Sequence, residues 1–239
     1  MKKFLVALQY WEGDRETSLG LLELFHETVQ ENNPWAELVI LHRFDTTPPH
    51  GELLKKLKHN FNKIYVVRGK HQAAGWPDGC NGLWYNLVSY AGERFSFYKD
   101  WAQYKALLSI ESDSCPLSDD WLEVLSREWD ENKVCVMGAW DSRNGDCPGI
   151  GHINGNGMFD INIDGKAGTP LLPPSGKGWD TYFASLFKRL GWQGTYAIRN
   201  IWNCPTLSED QFIRLKQDGA VFLHGIKDNS VRKLYLKHR

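Results

Sequence analysis

The chain has 239 residues, 42% of them hydrophobic and 24% charged, and its 28 basic and 29 acidic groups balance to a formal charge of −1. Such a chain is long enough for a sizeable core, and its near-neutral balance excludes a globally basic nucleic-acid binder, though not a local basic patch. No apolar run approaches the roughly 18 residues that cross a bilayer, and the stretch after Met1-Lys2-Lys3 meets Glu12 and Asp14 too soon to read as a signal peptide.

Residues 4–10 (FLVALQY) read as a first strand, with Glu12-Gly13-Asp14 as the turn after it. Leu19, Leu22, Phe25 and Val29 recur at helical spacing, and Asn32-Asn33-Pro34 is expected to end that helix. The strand AELVILHRF (36–44), the amphipathic helix ELLKKLKHNF (52–61) and the strand KIYVVRG (63–69) follow. A helix over 81–91 leads into the strand QYKALLSIESD (103–113), and a helix over about 119–130 into the strand KVCVMGAWDS (133–142). This alternation predicts an α/β fold with a mostly parallel, Rossmann-like sheet flanked by helices. Beyond residue 142 the rhythm breaks. Residues 143–178 are rich in Gly, Asn and Pro, a helix is expected over about 179–190, and AVFLHGIKD (220–228) reads as a last strand before a basic tail. No repeat or linker divides the chain, so a single domain with a loop-rich second half is expected.

The five cysteines, Cys80, Cys115, Cys135, Cys147 and Cys204, form no CxxC pair, which suits reduced thiols in a cytoplasmic compartment. The absence of an Asn-x-Ser/Thr acceptor agrees with that expectation. Eleven tryptophans are unusual; core packing would use some, and platforms for sugars or bases would use others.

Two stretches carry chemistry. LLSIESD (107–113) drives an apolar strand straight into Glu111 and Asp113. Carboxylates at i and i+2 leaving a core are costly unless compensated, and hard oxygen ligands suit Mg²⁺ or Mn²⁺. The competing reading makes Asp113 the start of the turn before Pro116. Near the C-terminus, VFLHGIKD again sets an apolar strand before His224, Gly225 and Lys227. Imidazole is a ligand for Mn²⁺, glycine allows close backbone approach, and lysine neutralises phosphate. Alone, His224 also reads as a structural histidine; with the carboxylate pair it makes a diphosphate–metal site.

At these residues the chain resembles glycosyltransferases of the GT-A fold, which use nucleotide-diphosphate sugars. Glu111-Ser112-Asp113 is similar to their DxD-type motif, with Glu in place of the first Asp, and His224 matches the late histidine that many use to complete the metal site. The resemblance implies Glu111, Asp113 and His224 as ligands of Mn²⁺ or Mg²⁺, with Ser112 at the donor and Lys227 at its phosphates. It implies a nucleotide-sugar-binding half over 1–142 and an acceptor-binding, metal-completing half over 143–239. Within LQYWEGD, Tyr10 and Trp11 would stack on the base and Asp14 would meet base or ribose; a strand end with core aromatics is the other reading. GWPDGCNGLW (75–84) resembles the segment beside the donor phosphates, with Asn81 on ribose or sugar, against a plain turn and helix cap. GHINGNGMF (151–159) resembles the donor-sugar loop, where Gly155 and Gly157 would bring backbone amides to a hydroxyl and Asn156 would contact the sugar, against a hairpin turn. In GKGWDTYF (176–183), Asp180 matches the general base of inverting enzymes and Trp179 would be an acceptor platform, against a carboxylate favoured by a helix N-terminus. Asp141 and Asp210 are alternative bases, and without a base a retaining mechanism stays open. The lysines of LKKLKHNFNK read as a solvated face.

The function expected is metal-dependent transfer of a sugar, from a UDP-sugar by preference, to an acceptor hydroxyl on a hydroxymethylated DNA base, a glycan or a small molecule. A nucleotidyltransferase is the first rival, although LQYWEGDRETS lacks the Gly-rich basic loop that such enzymes place after the first strand. A non-catalytic carbohydrate-binding module is the second.

Overall fold

A computed structural model describes residues 2–96, 103–141, 151–204, 206–226, 228 and 230–239. In chain order it contains β1 (Lys3–Tyr10), α1 (Arg15–Thr28), β2 (Asn33–His42), α2 (Gly51–Leu57), β3 (Phe61–Arg68), α3 (Asp78–Ala91), β4 (Tyr104–Glu111), β5 (Ser114–Pro116), α4 (Trp121–Asn132), β6 (Val136–Asp141) and β7 (His152–Phe159). There follow α5 (Ile163–Ala167), α6 (Trp179–Tyr182), α7 (Ala184–Leu190), β8 (Trp192–Gly194), β9 (Ile198–Cys204), α8 (Glu209–Gln217), β10 (Phe222–Ile226) and α9 (Ser230–Lys237).

Seven strands form one sheet in the order β3-β2-β1-β4-β7-β6-β8, and β5-β10-β9 form a second, smaller one. In the large sheet only β7 runs against its neighbours; β3, β2, β1 and β4 are mutually parallel. The fold is therefore α/β with a mostly parallel sheet flanked by helices, as expected. β1 is buried almost throughout because alternate residues serve two cores. Phe4, Val6 and Leu8 pack with Leu22 and Phe25 of α1 and Trp121 of α4, whereas Leu5 and Ala7 pack with Trp84 of α3 and with Trp179 and Phe187 beyond it. A third cluster, including Leu24, Leu117, Phe212, Leu223 and Tyr235, ties the small sheet to α1, α8 and α9.

The structure redraws several elements. β2 begins at Asn33, because Asn33 Oδ1 accepts the backbone N–H groups of Trp35 and Ala36 and starts the strand where a helix stop was expected. The stretch 151–159 is no loop: β7 fills the gap between β4 and β6, and Gly157 faces Ser109 and Gly138 across the two ladders. Its glycines hid the strand, since they are poor strand formers that here allow close approach; a Cβ on Gly155 would lie 2.1 Å from His224 Cε1. The helix expected over 179–190 is two short ones broken at Phe183, and the chain read as irregular after it holds β8, β9 and α8. No helix among the described residues is long and apolar enough to cross a membrane.

Candidate functional site

Parallel strands present their carboxyl ends along one edge, and β4 ends there on Glu111, level with Gln9 of β1. The chain then turns through Ser112 and Asp113 into β5, whose Ser114 pairs with His224 of β10. Backbone bonds lock this register: the N–H groups of Gly225 and Ile226 both donate to the Asp113 carbonyl, at 3.0 and 3.2 Å. Two sheets thus deliver three side chains to one point. His224 Nε2 lies 3.0 Å from Glu111 Oε2 and 3.2 Å from Asp113 Oδ1.

The ligand atoms of Glu111, Asp113 and His224 all fall within 4.8 Å of one another. Octahedral Mg²⁺ bonds oxygen at about 2.1 Å, so its adjacent ligands sit about 3 Å apart, which matches both contacts made by His224 Nε2. Two carboxylates and an imidazole are also the right donors for Mn²⁺ or Mg²⁺, so the residues fit a divalent cation. Electrostatics point the same way. Burial opposes charge on His224, yet the Asp113 and Glu111 carboxylates outweigh it and raise its pKa to about 10. The corner demands positive charge, whether from a proton or a cation.

The pocket around the imidazole is shaped by glycine. Gly155 of β7 has φ +63, and a Cβ there would lie 2.1 Å from His224 Cε1. Gly225 has φ +99, and a Cβ there would lie 2.5 Å from the Ile201 carbonyl oxygen. Only glycine lets β7 and β9 close on the histidine from both sides.

Asp180 lies in the first turn of α6. Its Oδ2 is 3.7 Å from Nε2 of buried His152, and its Oδ1 accepts the Thr181 N–H at 2.9 Å. Burial raises its pKa above the ordinary carboxylate range; His152 and the Thr181 N–H oppose the rise, and the charge of Glu111 adds to it. Asp180 is therefore within electrostatic reach of the Glu111 corner. Asp141 ends β6 opposite His152, whereas Asp210 is exposed on the first turn of α8.

Other expected site residues are placed differently. Tyr10 is 1% exposed and donates its hydroxyl to the Thr47 carbonyl, so it belongs to the core and offers no face to a base. Trp11 is 43% exposed, with the Arg43 guanidinium 5.6 Å from its ring. Asp14 is half-buried at the start of α1. Ser112 is buried in the turn between the carboxylates. Asn156 is fully buried and makes no sugar-facing surface; its Oδ1 accepts the Glu111 N–H at 2.8 Å and its Nδ2 donates to Ser114 Oγ at 2.7 Å. Asn81 is also buried, with both ends of its amide bonded to Lys177 and Trp179. Trp179 is 3% exposed and stacked flat on Trp84, so it is no acceptor platform. Lys227 lies outside the described residues. On α2, Leu53 and Leu57 are buried while Lys55 and Lys56 face solvent, as a solvated face requires.

Two residues escaped notice in the sequence. His152 is 4% exposed, and its Nδ1 has no hydrogen-bond partner among the described residues. Asn200 pairs with His224 across β9 and β10, and both of its side-chain amide atoms lack a partner among the described residues. His152 lies inside GHINGNGMF, where the glycines and Asn156 drew the reading, and Asn200 lies in no motif; recognising β7 and β9 as strands was the signal for both.

No protein-family profile matches the chain, and no curated protein matches it in sequence. Solved structures do resemble it. Mouse xyloside xylosyltransferase 1 in its apo form superposes with a TM-score of 0.53 at 11% identity, over 95% of this chain and 99% of that one. The glycosyltransferase GlyE of Streptococcus pneumoniae gives 0.56 at 11%, over 100% of this chain and 60% of GlyE. S. aureus TarS 1–349 in complex with UDP-GlcNAc gives 0.56 at 12%, over 96% of this chain and 60% of TarS. The chain thus has a GT-A-like glycosyltransferase fold.

Proposed function

We propose that the protein is a metal-dependent glycosyltransferase that moves a sugar from a nucleotide-diphosphate sugar to an acceptor hydroxyl. The observation that carries this reading is the convergence of Glu111, Asp113 and His224 at the carboxyl end of β4. A UDP-sugar is the favoured donor, in keeping with the UDP-GlcNAc held by the similar TarS structure. The residues up to 142 would bind this donor, and those from 143 onward would bind the acceptor and complete the metal site.

A divalent cation, Mn²⁺ or Mg²⁺, supplies electrostatic stabilisation to the departing diphosphate when bound. Glu111, Asp113 and His224 hold it, and Asn156 keeps Glu111 in place. Trp11 is the exposed aromatic after β1 that would cover the base. Asp180 takes the acceptor proton as the acceptor oxygen attacks the anomeric carbon, and the bonding pair leaves with the nucleoside diphosphate. Its raised pKa makes it a better base than an ordinary surface carboxylate. Attack opposite the leaving group inverts the anomeric centre. A hydroxymethylated DNA base and a glycan are the acceptor classes to test, and a cytoplasmic location agrees with the dispersed cysteines.

Calorimetry with UDP, GDP, UDP-glucose and UDP-GlcNAc, with and without Mn²⁺, tests the reading. Uridine nucleotide binding that needs Mn²⁺ and disappears in Asp113→Ala is the expected result. Absence of binding by every nucleotide would overturn it.

A further inference from the structure

The segment that delivers Asp180 has no regular structure of its own. Residues 172–178 read LPPSGKG and enter α6, a helix of only 4 residues. What holds this segment is α3. Asp78, the first residue of α3, accepts hydrogen bonds from Ser175 Oγ at 2.5 Å and from the Gly176 N–H at 2.9 Å. Three residues on, Asn81 donates from Nδ2 to the Lys177 carbonyl at 2.7 Å, and its Oδ1 accepts the Trp179 N–H at 2.9 Å. Three residues further, Trp84 stacks on Trp179 with ring centres 4.3 Å apart and planes 5° from parallel.

Spacing of three places Asp78, Asn81 and Trp84 along one stripe of the helix. That stripe engages Ser175, Gly176, Lys177 and Trp179, ending one residue before Asp180. The carboxylate itself folds back over the same segment: a Cβ on Gly178 would lie 2.7 Å from Asp180 Oδ1. The stripe is rooted in the core, since Asn81 is 2% exposed and Trp84 is fully buried.

We propose that Asp78, Asn81 and Trp84 form a clasp that positions Asp180 for proton abstraction, with Asn81 as its central positioning residue. This rests on Asp180 being the base. The clasp joins the donor-side helix α3 to the acceptor-side segment, so the base is set relative to the site by four side-chain hydrogen bonds and one ring stack. A base carried on an unheld loop would drift, and misplacement by about 1 Å costs about 100-fold in rate.

The test compares wild type with Asn81→Ala, Asn81→Asp, Asp78→Ala and Asp180→Ala. The readouts are UDP release from UDP-glucose and UDP-GlcNAc with Mn²⁺, UDP affinity by calorimetry, and trypsin cleavage after Lys177, which needs no substrate. Asn81→Ala is expected to lower kcat by about 10- to 100-fold, leave UDP affinity within about twofold, and speed cleavage at Lys177. Asn81→Asp keeps the acceptor for the Trp179 N–H, so it should recover part of the rate. Asp78→Ala loses only the outer pair of bonds and gives a milder form of the same effect, even if Asn81→Ala folds poorly. Unchanged cleavage at Lys177 in both Asn81→Ala and Asp78→Ala overturns the clasp, as does faster cleavage with unchanged kcat. Loss of turnover in Asp180→Ala with full kcat in Asn81→Ala removes the clasp alone, whereas full turnover in Asp180→Ala removes the base assignment and the clasp with it.

Discussion

Asn156 accepts the backbone N–H of Glu111 at 2.8 Å, and because its other amide atom donates to Ser114 Oγ at 2.7 Å, one side chain from β7 spans the whole turn that carries both carboxylates. The geometry of the candidate metal corner therefore depends on a residue that supplies no ligand atom to it.

Replacing Asn156 with leucine should expose that dependence. The exchange removes both bonds and leaves the Glu111 N–H and Ser114 Oγ without these partners, at a cost of about 1–3 kcal/mol for each buried group. Urea denaturation should show the lost stability, and calorimetry should show weaker Mn²⁺ binding, although every proposed ligand is retained. Mn²⁺ affinity equal to wild type would mean that the turn holds itself.

Gly155→Ala tests the packing of β7 against His224. The new Cβ would lie 2.1 Å from His224 Cε1, so the ring must move away from the carboxylates. Gly168→Ala is the control, with a similar φ of +65 and open space around the Cβ. Both variants carry backbone strain, of about 1 kcal/mol. Only Gly155→Ala should lose Mn²⁺ affinity, by at least about tenfold; equal losses in both would assign the effect to strain alone.

A pH effect on stability should arise far from the site. Glu37 is fully buried and accepts from Lys3 Nζ at 2.6 Å, Tyr104 Oη at 2.6 Å and Tyr65 Oη at 3.0 Å. Burial raises its pKa, but these bonds outweigh burial and hold it below the ordinary 4.5. A lowered folded-state pKa means that the stabilisation is fully present above the unfolded value and fades as pH falls through the folded one. Glu37→Gln should therefore be less stable than wild type at pH 7, and the gap should narrow in urea titrations at about pH 3. A gap of equal size at both pH values would contradict this account.

His152→Gln should move the activity profile. Two side chains act on Asp180 from facing elements: His152 lowers its pKa and Glu111 raises it. Removing the imidazole leaves burial and Glu111 opposed only by backbone hydrogen bonds to the carboxylate, so the acidic limb of the kcat profile should shift to higher pH. An unmoved limb would show that His152 does not act on Asp180 or that Asp180 is not the group whose titration sets the limb.

Much of this architecture was legible in the chain. The apolar runs of β1, β2 and β4 announce buried parallel strands, because strands covered on both faces need no polar alternation. The carboxylates of LLSIESD and the histidine of VFLHGIKD stand out for the same reason: a polar group directly after a buried strand must have something to meet. Local pattern could not reveal β7. Its glycines and asparagines speak for a turn, and only its neighbours β4 and β6 make it a strand.

Sequence by itself thus determined the strand and helix rhythm of the first half and the candidate metal ligands, since both follow from short-range apolar periodicity and residue chemistry. Tertiary structure alone decided the partners. Asn156 and Asn81 read as sugar contacts in the chain, yet each is buried with its amide bonded to protein groups 42 to 98 residues away. An amide has equal capacity for a ligand and for backbone, and which one it meets is set by the packing of distant elements that no local pattern records.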